Sequence, residues 1–526
     1  MRIFNTTGPV RPSQHYCLPP LERFNLNDVL FLIDQQKYFV LHAPRQVGKT
    51  SYLLALMEYL NAEGTYRCLY FNVEAAQAMR ENVEAAMRVI VGGMASQARI
   101  YLNDLFLDEI MVEALEKYGT GVLNAMITRW AAQSEKPLIL LIDEIDTLIG
   151  DTLISVLRQL RAGYPNRPAD FPQSVILCGV RDVRDYRIHS SRDKMVITGG
   201  SAFNIKVASL RLGNFSHAEV AELYRQHTDE TGQAFTPEAM TLVWELTEGQ
   251  PWLVNALGYE LCFRTEVERN NRETVTAERI QQAKEQIIQR RETHLDQLTD
   301  KLQEERVRNV IEPILAGQTE PERLPLDDVQ YVEDLGLITT HQQLRIANKI
   351  YQEVIPRELT YTTQLTITHE TAWYVAPDGR LDMEKLLIAF QEFFRLHSEH
   401  WVERFDYKEA GPQLLLQAFL QRIINGGGRI EREYGLGRER TDLLIVWPYD
   451  EQGAVQRVVI ETKLRHGKLD TVITKGLAQT WAYMDRSDTT HGHLIIFDRS
   501  TSRSWDEKIF KRNETHNGVG ITVWGM

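Results

Sequence analysis

The sequence predicts an α/β chain of several domains: a parallel sheet wrapped by helices, a helical lid, a winged-helix outline, and a separate α/β domain at the C-terminal end. Three observations carry this. Through the first 212 residues, short apolar runs alternate with helix-length stretches, the pattern of parallel strands joined by helical crossovers. From Ser216 onward the pattern turns helical, and beyond residue 380 strands and helices resume after a Thr-rich run and a Pro377-Asp378-Gly379 turn. At 526 residues, 43% hydrophobic and 25% charged, the chain has ordinary globular composition and is too long for one hydrophobic core.

Taken in order, the apolar runs 38–43, 68–73, 138–143 and 175–180 read as strands. Ser216 with Glu219 three residues later makes a capping box, and Thr236 followed by Pro237 is a second helix start. A polar helix begins near Thr276. Residues 326–338 then read as a helix and a turn at Gly336, followed by a strand and a closing helix through 341–359. The domain boundaries expected are 1–212 for the parallel-sheet core, 213–295 for the lid, 296–362 for the winged helix, 363–380 for a linker and 381–526 for the last domain. No repeat and no low-complexity tract is evident.

Composition excludes several classes. The N-terminus lacks an apolar stretch before a small-residue cleavage site, and nowhere do 18 apolar residues run together, so neither secretion nor membrane spanning is expected. Cys17, Cys68, Cys178 and Cys262 lie far apart with no C-x-x-C pair, which reads as reduced core cysteines and a cytoplasmic location. The net charge of −13 gives no global attraction to nucleic acid. That charge is uneven: about −11 falls on residues 1–365 and about −2 on 366–526, so a nucleic-acid surface is expected in the C-terminal part.

Residues 40–51 read VLHAPRQVGKTS, a strand, a loop and a helix start. In such a loop consecutive backbone N–H groups at a helix N-terminus wrap phosphates, a Lys reaches the outer phosphates, and a Thr hydroxyl coordinates magnesium. Ala43, Gln46, Val47, Gly48, Lys49, Thr50 and Ser51 are the expected nucleotide-binding set, with Thr50 also a metal ligand; Ala43 stands where the motif has its first glycine. Residues 138–146, LILLIDEID, form a buried strand that delivers Asp143 for magnesium and Glu144 to orient the attacking water. Asp146 fits a supporting role.

Over roughly residues 5–360 these motifs resemble the AAA-like ATPases related to the STAND class and the origin-recognition ATPases, which implies ATP and Mg2+ as cofactors. In that resemblance FPQSVILCGVRDVRDYR looks like the sensor strand, with Arg181 or Asp182 monitoring the terminal phosphate, and Gly249-Gln250-Pro251 looks like the lid motif that sets Pro251 against adenine. Gly249-Gln250-Pro251 reads equally well as a helix end followed by a helix start. Arg158 and Arg161 fit either arginine fingers toward a neighbouring subunit, hence a homo-oligomer through the ATPase domain, or a solvated helix face. The first winged-helix helix carries Asp327, Asp328, Glu333 and Asp334, which favours a structural or protein-contact role over DNA binding.

A second constellation lies at 428–463. The runs 441–448 and 456–464 read as two strands joined by a turn, so antiparallel pairing brings Asp442 beside Glu461 and Lys463, two residues apart on one face. Two carboxylates and an ammonium suit phosphodiester hydrolysis: Asp442 and Glu461 hold magnesium, and Lys463 orients the nucleophile or stabilises charge. This resembles the PD-(D/E)XK nuclease superfamily, with Thr441-Asp442 in place of Pro-Asp. Gln479 and Tyr483, one helical turn apart, resemble the additional motif of RecB-type nucleases, and Glu409 is the candidate for the family's upstream metal-binding Glu. Arg429, Arg432, Arg438 and Arg440 form a basic strip around Tyr434, either along a phosphate backbone or as a solvated edge strand partly neutralised by Glu431, Glu433 and Glu439.

The function expected is therefore ATP binding and hydrolysis coupled to a metal-dependent nuclease domain cutting DNA, in preference to RNA, under nucleotide control. By resemblance alone this implies a defence or mobile-element setting. The alternative is a STAND-like ATP switch whose last domain binds nucleic acid or protein without cleavage.

Overall fold

The structure, a computed structural model, describes all residues except 182–186, 191–194, 199–205, 271, 291, 316–323, 342, 367–373, 405–410, 425–428, 434–440, 450–453 and 501. The chain divides into two units, one formed by Met1–Ile287 with Asp334–Gly336, the other by Ile288–Glu333 with Leu337–Met526.

The first unit runs β1 (Ile3–Phe4), β2 (His15–Tyr16), α1 (Leu26–Asp34), β3 (Tyr38–His42), α2 (Lys49–Glu63), β4 (Arg67–Asn72), α3 (Val83–Leu102), α4 (Phe106–Tyr118), α5 (Val122–Gln133), β5 (Leu138–Asp143), α6 (Gly150–Gly163), β6 (Ser174–Gly179), β7 (Arg187–Ser190), β8 (Met195–Thr198) and β9 (Lys206–Arg211). The helices expected as the lid follow as α7 (His217–Thr231), α8 (Pro237–Thr247), α9 (Pro251–Cys262), α10 (Glu266–Asn270) and α11 (Ala277–Arg290). The main sheet has the order β4-β5-β6-β3-β9 with every neighbour parallel. Alternation along each strand supplies two cores. Tyr38 and Val40 pack with Leu69, Leu140 and residues of α3 to α6 on one face, while Phe39 and Leu41 pack with Ile139, Cys178 and residues of α1 and α2 on the other. A sheet covered on both faces needs apolar residues at every position, which is why its strands read as continuous runs.

The four expected strands begin and end within one residue of the observed ones. The edge strand β9 carries Lys206, Ser209 and Arg211 among its apolar residues and gave no such run. The lid starts as its sequence dictates. Ser216 accepts from the Glu219 amide while the Glu219 carboxylate accepts from the Ser216 amide, an arrangement that stabilises a helix start by about 1 kcal/mol. Thr236 caps α8, and the Gln250 side chain caps α9 with Pro251 at its first position. The N-terminal residues join the lid: Phe4 and Tyr16 sit in an aromatic cluster with Tyr224, His227 and Phe263.

The second unit contains α12 (Thr293–Leu302), α13 (Glu305–Leu315), α14 (Leu326–Asp334, its last residue grouped with the first unit), β10 (Ile338–Thr339), β11 (Arg345–Ile346) and α15 (Lys349–Thr366). A helix, a turn at Gly336 (φ 78°), a short antiparallel strand pair and a further helix follow one another here. Next come α16 (Met383–Arg404), α17 (Gly411–Ile424), β12 (Arg429–Glu433), β13 (Thr441–Pro448), β14 (Val455–Leu464), α18 (Leu469–Arg486), β15 (Gly492–Phe497), α19 (Trp505–Lys508), β16 (Phe510–His516) and β17 (Val519–Gly525). The closing helix α15 continues to Thr366, into the segment read as a linker, because its buried Ile350, Tyr351, Val354 and Ile355 hold it whatever the low propensity of its Thr residues. Farther along that segment, Trp447 Nε1 donates to the Gly379 carbonyl at 2.9 Å, so the Pro-Asp-Gly turn is packed against β13. Gly379 has φ 84°, and a Cβ there would stand 2.3 Å from the Tyr449 carbonyl oxygen.

The second sheet has the order β12-β13-β14-β15-β17-β16. Strands β12, β13 and β14 form an antiparallel meander, α18 crosses over to place β15 parallel to β14, and β17 adds in parallel beyond it. One face packs Leu444, Val446, Val459, Leu494 and Ile496 against Ile473, Leu477, Tyr483 and Met484 of α18. Phe497 packs against Phe390 and Phe394 of α16, and Phe390 against Phe419 of α17.

Candidate functional site

In the first unit the chemistry gathers at the C-terminal ends of β3, β5 and β6, the edge where parallel α/β sheets bind ligands. β3 runs into the phosphate loop at buried Ala43, whose N–H donates to the Gly179 carbonyl at 3.2 Å. The loop turns through Gln46 at φ 58° and Gly48 at φ 102°, and α2 starts at Lys49. Gly48 is a position where the conformation requires glycine. The buried Lys49 amine donates to the carbonyls of Ala43 (2.9 Å) and Pro44 (3.0 Å), so it lies back over the loop it serves. Thr50 Oγ1 donates to Asp143 Oδ2 at 2.7 Å. Hydroxyl and carboxylate, from the start of α2 and the end of β5, thus meet as a pair of hard oxygens of the kind magnesium takes as ligands. The Ser51 hydroxyl accepts from the Val10 N–H at 3.0 Å.

Glu144 follows Asp143 in a left-handed conformation, φ 56°, which turns it out of the strand. Burial holds its pKa above the ordinary glutamate value, helped by Asp146 and Asp143 and opposed by Lys49 and Arg45. Arg181 stands two residues beyond β6, almost fully buried, with Nε 3.4 Å from Asp334 Oδ2. Pro251 is buried at the start of α9, directly after Gly249 at φ 70°. Arg158 and Arg161 are both exposed on α6, and Asp182 lies outside the described residues.

Two residues of this site carry no motif. Tyr70, within β4, donates its hydroxyl to Asp143 Oδ2 at 3.0 Å, and burial followed by the Asp143 charge pushes its own pKa far up, so it stays a neutral donor. Arg23 donates to the carbonyls of Val47 and Gly213 and lies over the Phe215 ring, 4.6 Å from its centroid. It ties the phosphate loop to the start of the lid. Burial brings its pKa down to about 10, which leaves it charged at neutral pH. A tyrosine inside an apolar strand and an arginine in an irregular segment give no spacing signal.

In the second unit the hairpin has the register the sequence implied: Asp442 is the direct partner of Glu461, and Thr441 of Thr462. Glu461 is fully buried, Lys463 nearly so, and Lys463 Nζ lies 2.6 Å from Glu461 Oε1. Period-two alternation puts Glu461 and Lys463 in line with Val459, on the face covered by α18. Gln479 and Tyr483 lie on that helix; Tyr483 is buried in the same core, and Gln479 Oε1 is buried with no hydrogen-bond partner among the described residues. In β12, Arg429 pairs with Val446 and Arg432 with Leu443. Glu409, Tyr434, Arg438 and Arg440 lie outside the described residues. Among the described residues no group of three or more His, Cys, Asp or Glu is disposed to hold a metal ion, and no helix is long and apolar enough to cross a membrane.

Solved structures resembling the chain include the Walker-type ATPase paby2304 of Pyrococcus abyssi, 13% identical, covering 67% of this chain and 99% of that one with a TM-score of 0.47. Cdc6p of Pyrobaculum aerophilum is 13% identical, with 65% and 95% covered and a TM-score of 0.35. Domain III of the replication initiation protein DnaA of Thermotoga maritima is 18% identical, with 52% and 97% covered and a TM-score of 0.32. No curated protein matches the chain. The AAA-like domain family matches residues 30–355, more than half of the sequence and all of the phosphate-loop machinery just described, and the chain belongs to that family of P-loop ATPases.

Proposed function

We propose that the protein is an ATPase whose nucleotide site controls a metal-dependent phosphodiesterase in its last domain, acting on nucleic acid with DNA as the first substrate to test. At the first site Thr50 and Asp143 would hold Mg2+, which when bound neutralises phosphate charge. Lys49 reaches the outer phosphates by leaving the Ala43 and Pro44 carbonyls, Tyr70 fixes the Asp143 carboxylate, and Glu144 accepts a hydrogen bond from the attacking water. Pro251 sits against the base and Arg181 near the terminal phosphate, in keeping with their places at the lid start and after β6.

For the second site the single observation that supports the reading most is the Asp442–Glu461 register, with Lys463 on the Glu461 carboxylate. Asp442 and Glu461 would carry the metal there. Glu461 is buried on an apolar sheet face with the Lys463 ammonium against it, and the Gln479 side-chain oxygen on the covering helix, without a hydrogen-bond partner among the described residues, adds a further acceptor. The helix-β-β-β-helix-β order of α17 to β15 agrees with the nuclease resemblance. Assembly into a homo-oligomer through the exposed Arg158 and Arg161 face belongs to the same proposal. Incubating the purified chain with single- and double-stranded DNA and RNA, with and without ATP and Mg2+, tests it. Binding without cutting under every condition would transfer support to an ATP switch with a non-cleaving last domain.

A further inference from the structure

The stretch Asp334–Gly336 closes the helix α14 and groups with the first unit rather than with the elements on either side of it. Two separate contacts account for this. Asp334 Oδ2 approaches Arg181 Nε at 3.4 Å, with both side chains almost fully buried, 2% and 9% exposed. Two residues on, Gly336 lies so close to the phosphate loop that a Cβ would be 2.9 Å from both Cβ and Cγ of Pro44. Its φ of 78° already favours glycine. The stretch therefore bears at once on the loop after β3 and on the arginine after β6, adjacent strands of the sheet.

A carboxylate buried on a guanidinium at the phosphate-binding edge has the charge and the planar oxygen geometry of a phosphate group. We infer that Asp334 is a specificity-determining residue for the nucleotide, a carboxylate that occupies Arg181 and that the terminal phosphate of ATP must displace. This rests on Arg181 serving the terminal phosphate. ADP has no group to reach Arg181 and leaves the pair intact. ATP brings negative charge toward a buried carboxylate, so it binds fully only as Asp334 withdraws and takes Leu335 and Gly336 with it. Asp334 thus sets the balance between triphosphate and diphosphate without touching either one in the ADP form. A ligand shifts an equilibrium only by its differential affinity for two states, and the third phosphate supplies that difference here.

The test is equilibrium binding of ATP and of ADP, each with Mg2+, to the full chain and its variants. Asp334→Asn keeps the shape and removes the charge. It is expected to tighten ATP about tenfold or more, the range of ordinary coupling between sites, with ADP affinity little changed. In an Arg181→Gln background the same substitution should lose most of that effect, since the two act on each other. Parallel shifts for ATP and ADP, or no shift, overturn the inference, as does an undiminished effect in the Arg181→Gln background. Should Asp334→Asn fail to fold, Asp334→Ser is measured in the same way: ATP tightened with ADP unchanged supports the inference, and parallel shifts or none overturn it. Wild-type protein that binds neither nucleotide would overturn the nucleotide-site reading itself, and this inference with it.

Discussion

Tyr70→Phe removes one oxygen atom from beside Asp143, the proposed magnesium ligand, and alters nothing else in shape. The hydroxyl donates to Asp143 Oδ2 at 3.0 Å, inside a strand where Asp143 is fully buried. Hydrogen bonds to a charged acceptor contribute about 1.5–3 kcal/mol. The same oxygen keeps the Thr50 hydroxyl at 2.7 Å, and the other carboxylate oxygen keeps the Glu144 N–H at 2.9 Å, so the loss falls at the lower end, about 1.5 kcal/mol. That corresponds to a little over tenfold in kcat/KM for Mg-ATP. Because Tyr70 stays protonated, pushed far above the ordinary tyrosine value by burial and by Asp143, the deficit should be the same across the accessible pH range. Steady-state ATP hydrolysis measured over a magnesium titration reads it directly, with thermal unfolding as the control for fold. A rate and a magnesium dependence identical to wild type would refute the reasoning, for then the hydroxyl does not hold the carboxylate.

Lys49→Ala is expected to abolish nucleotide binding, measured by calorimetry, since it removes the ammonium proposed to reach the outer phosphates. Glu144→Gln should still bind ATP while slowing hydrolysis by about a hundredfold or more, the usual yield of a positioned base. The pH profile of hydrolysis tests the same residue: burial raises the Glu144 pKa, so as pH falls the active carboxylate is lost earlier than an ordinary glutamate would be, and the acid limb should lie above that ordinary value and vanish from the residual rate of Glu144→Gln. Arg23→Ala leaves the carbonyls of Val47 and Gly213 without their donor, at about 1–3 kcal/mol for each that stays buried and unmet; the melting temperature and the affinities for ATP and ADP should all fall, with Arg23→Lys recovering part.

Where one physical cause dominated a stretch, the sequence disclosed it. The central strands are apolar throughout because both faces are covered, and the lid helices begin at side chains that satisfy their first amides, so both were legible from spacing alone. The hairpin register was legible for a related reason, since two apolar strands joined by a turn pair in one way. Tyr70, Arg23 and Asp334 were not, because each acts on a residue distant in sequence: Tyr70 through a neighbouring strand, Arg23 through carbonyls of the loop and the lid start, Asp334 through an arginine more than 150 positions earlier. The partner of the Ser51 hydroxyl was not legible for the same reason: it accepts from Val10, more than forty positions earlier.

A second active site in the last domain is the central proposal, and comparing wild type with Glu461→Gln tests it most directly. Labelled single- and double-stranded DNA would be incubated with each protein in ATP and Mg2+, with ATP hydrolysis followed in the same tubes. The account predicts that wild type cuts, that Glu461→Gln does not, and that both hydrolyse ATP at similar rates. Equal cutting by the two proteins, or no cutting by wild type under any nucleotide condition, would contradict it.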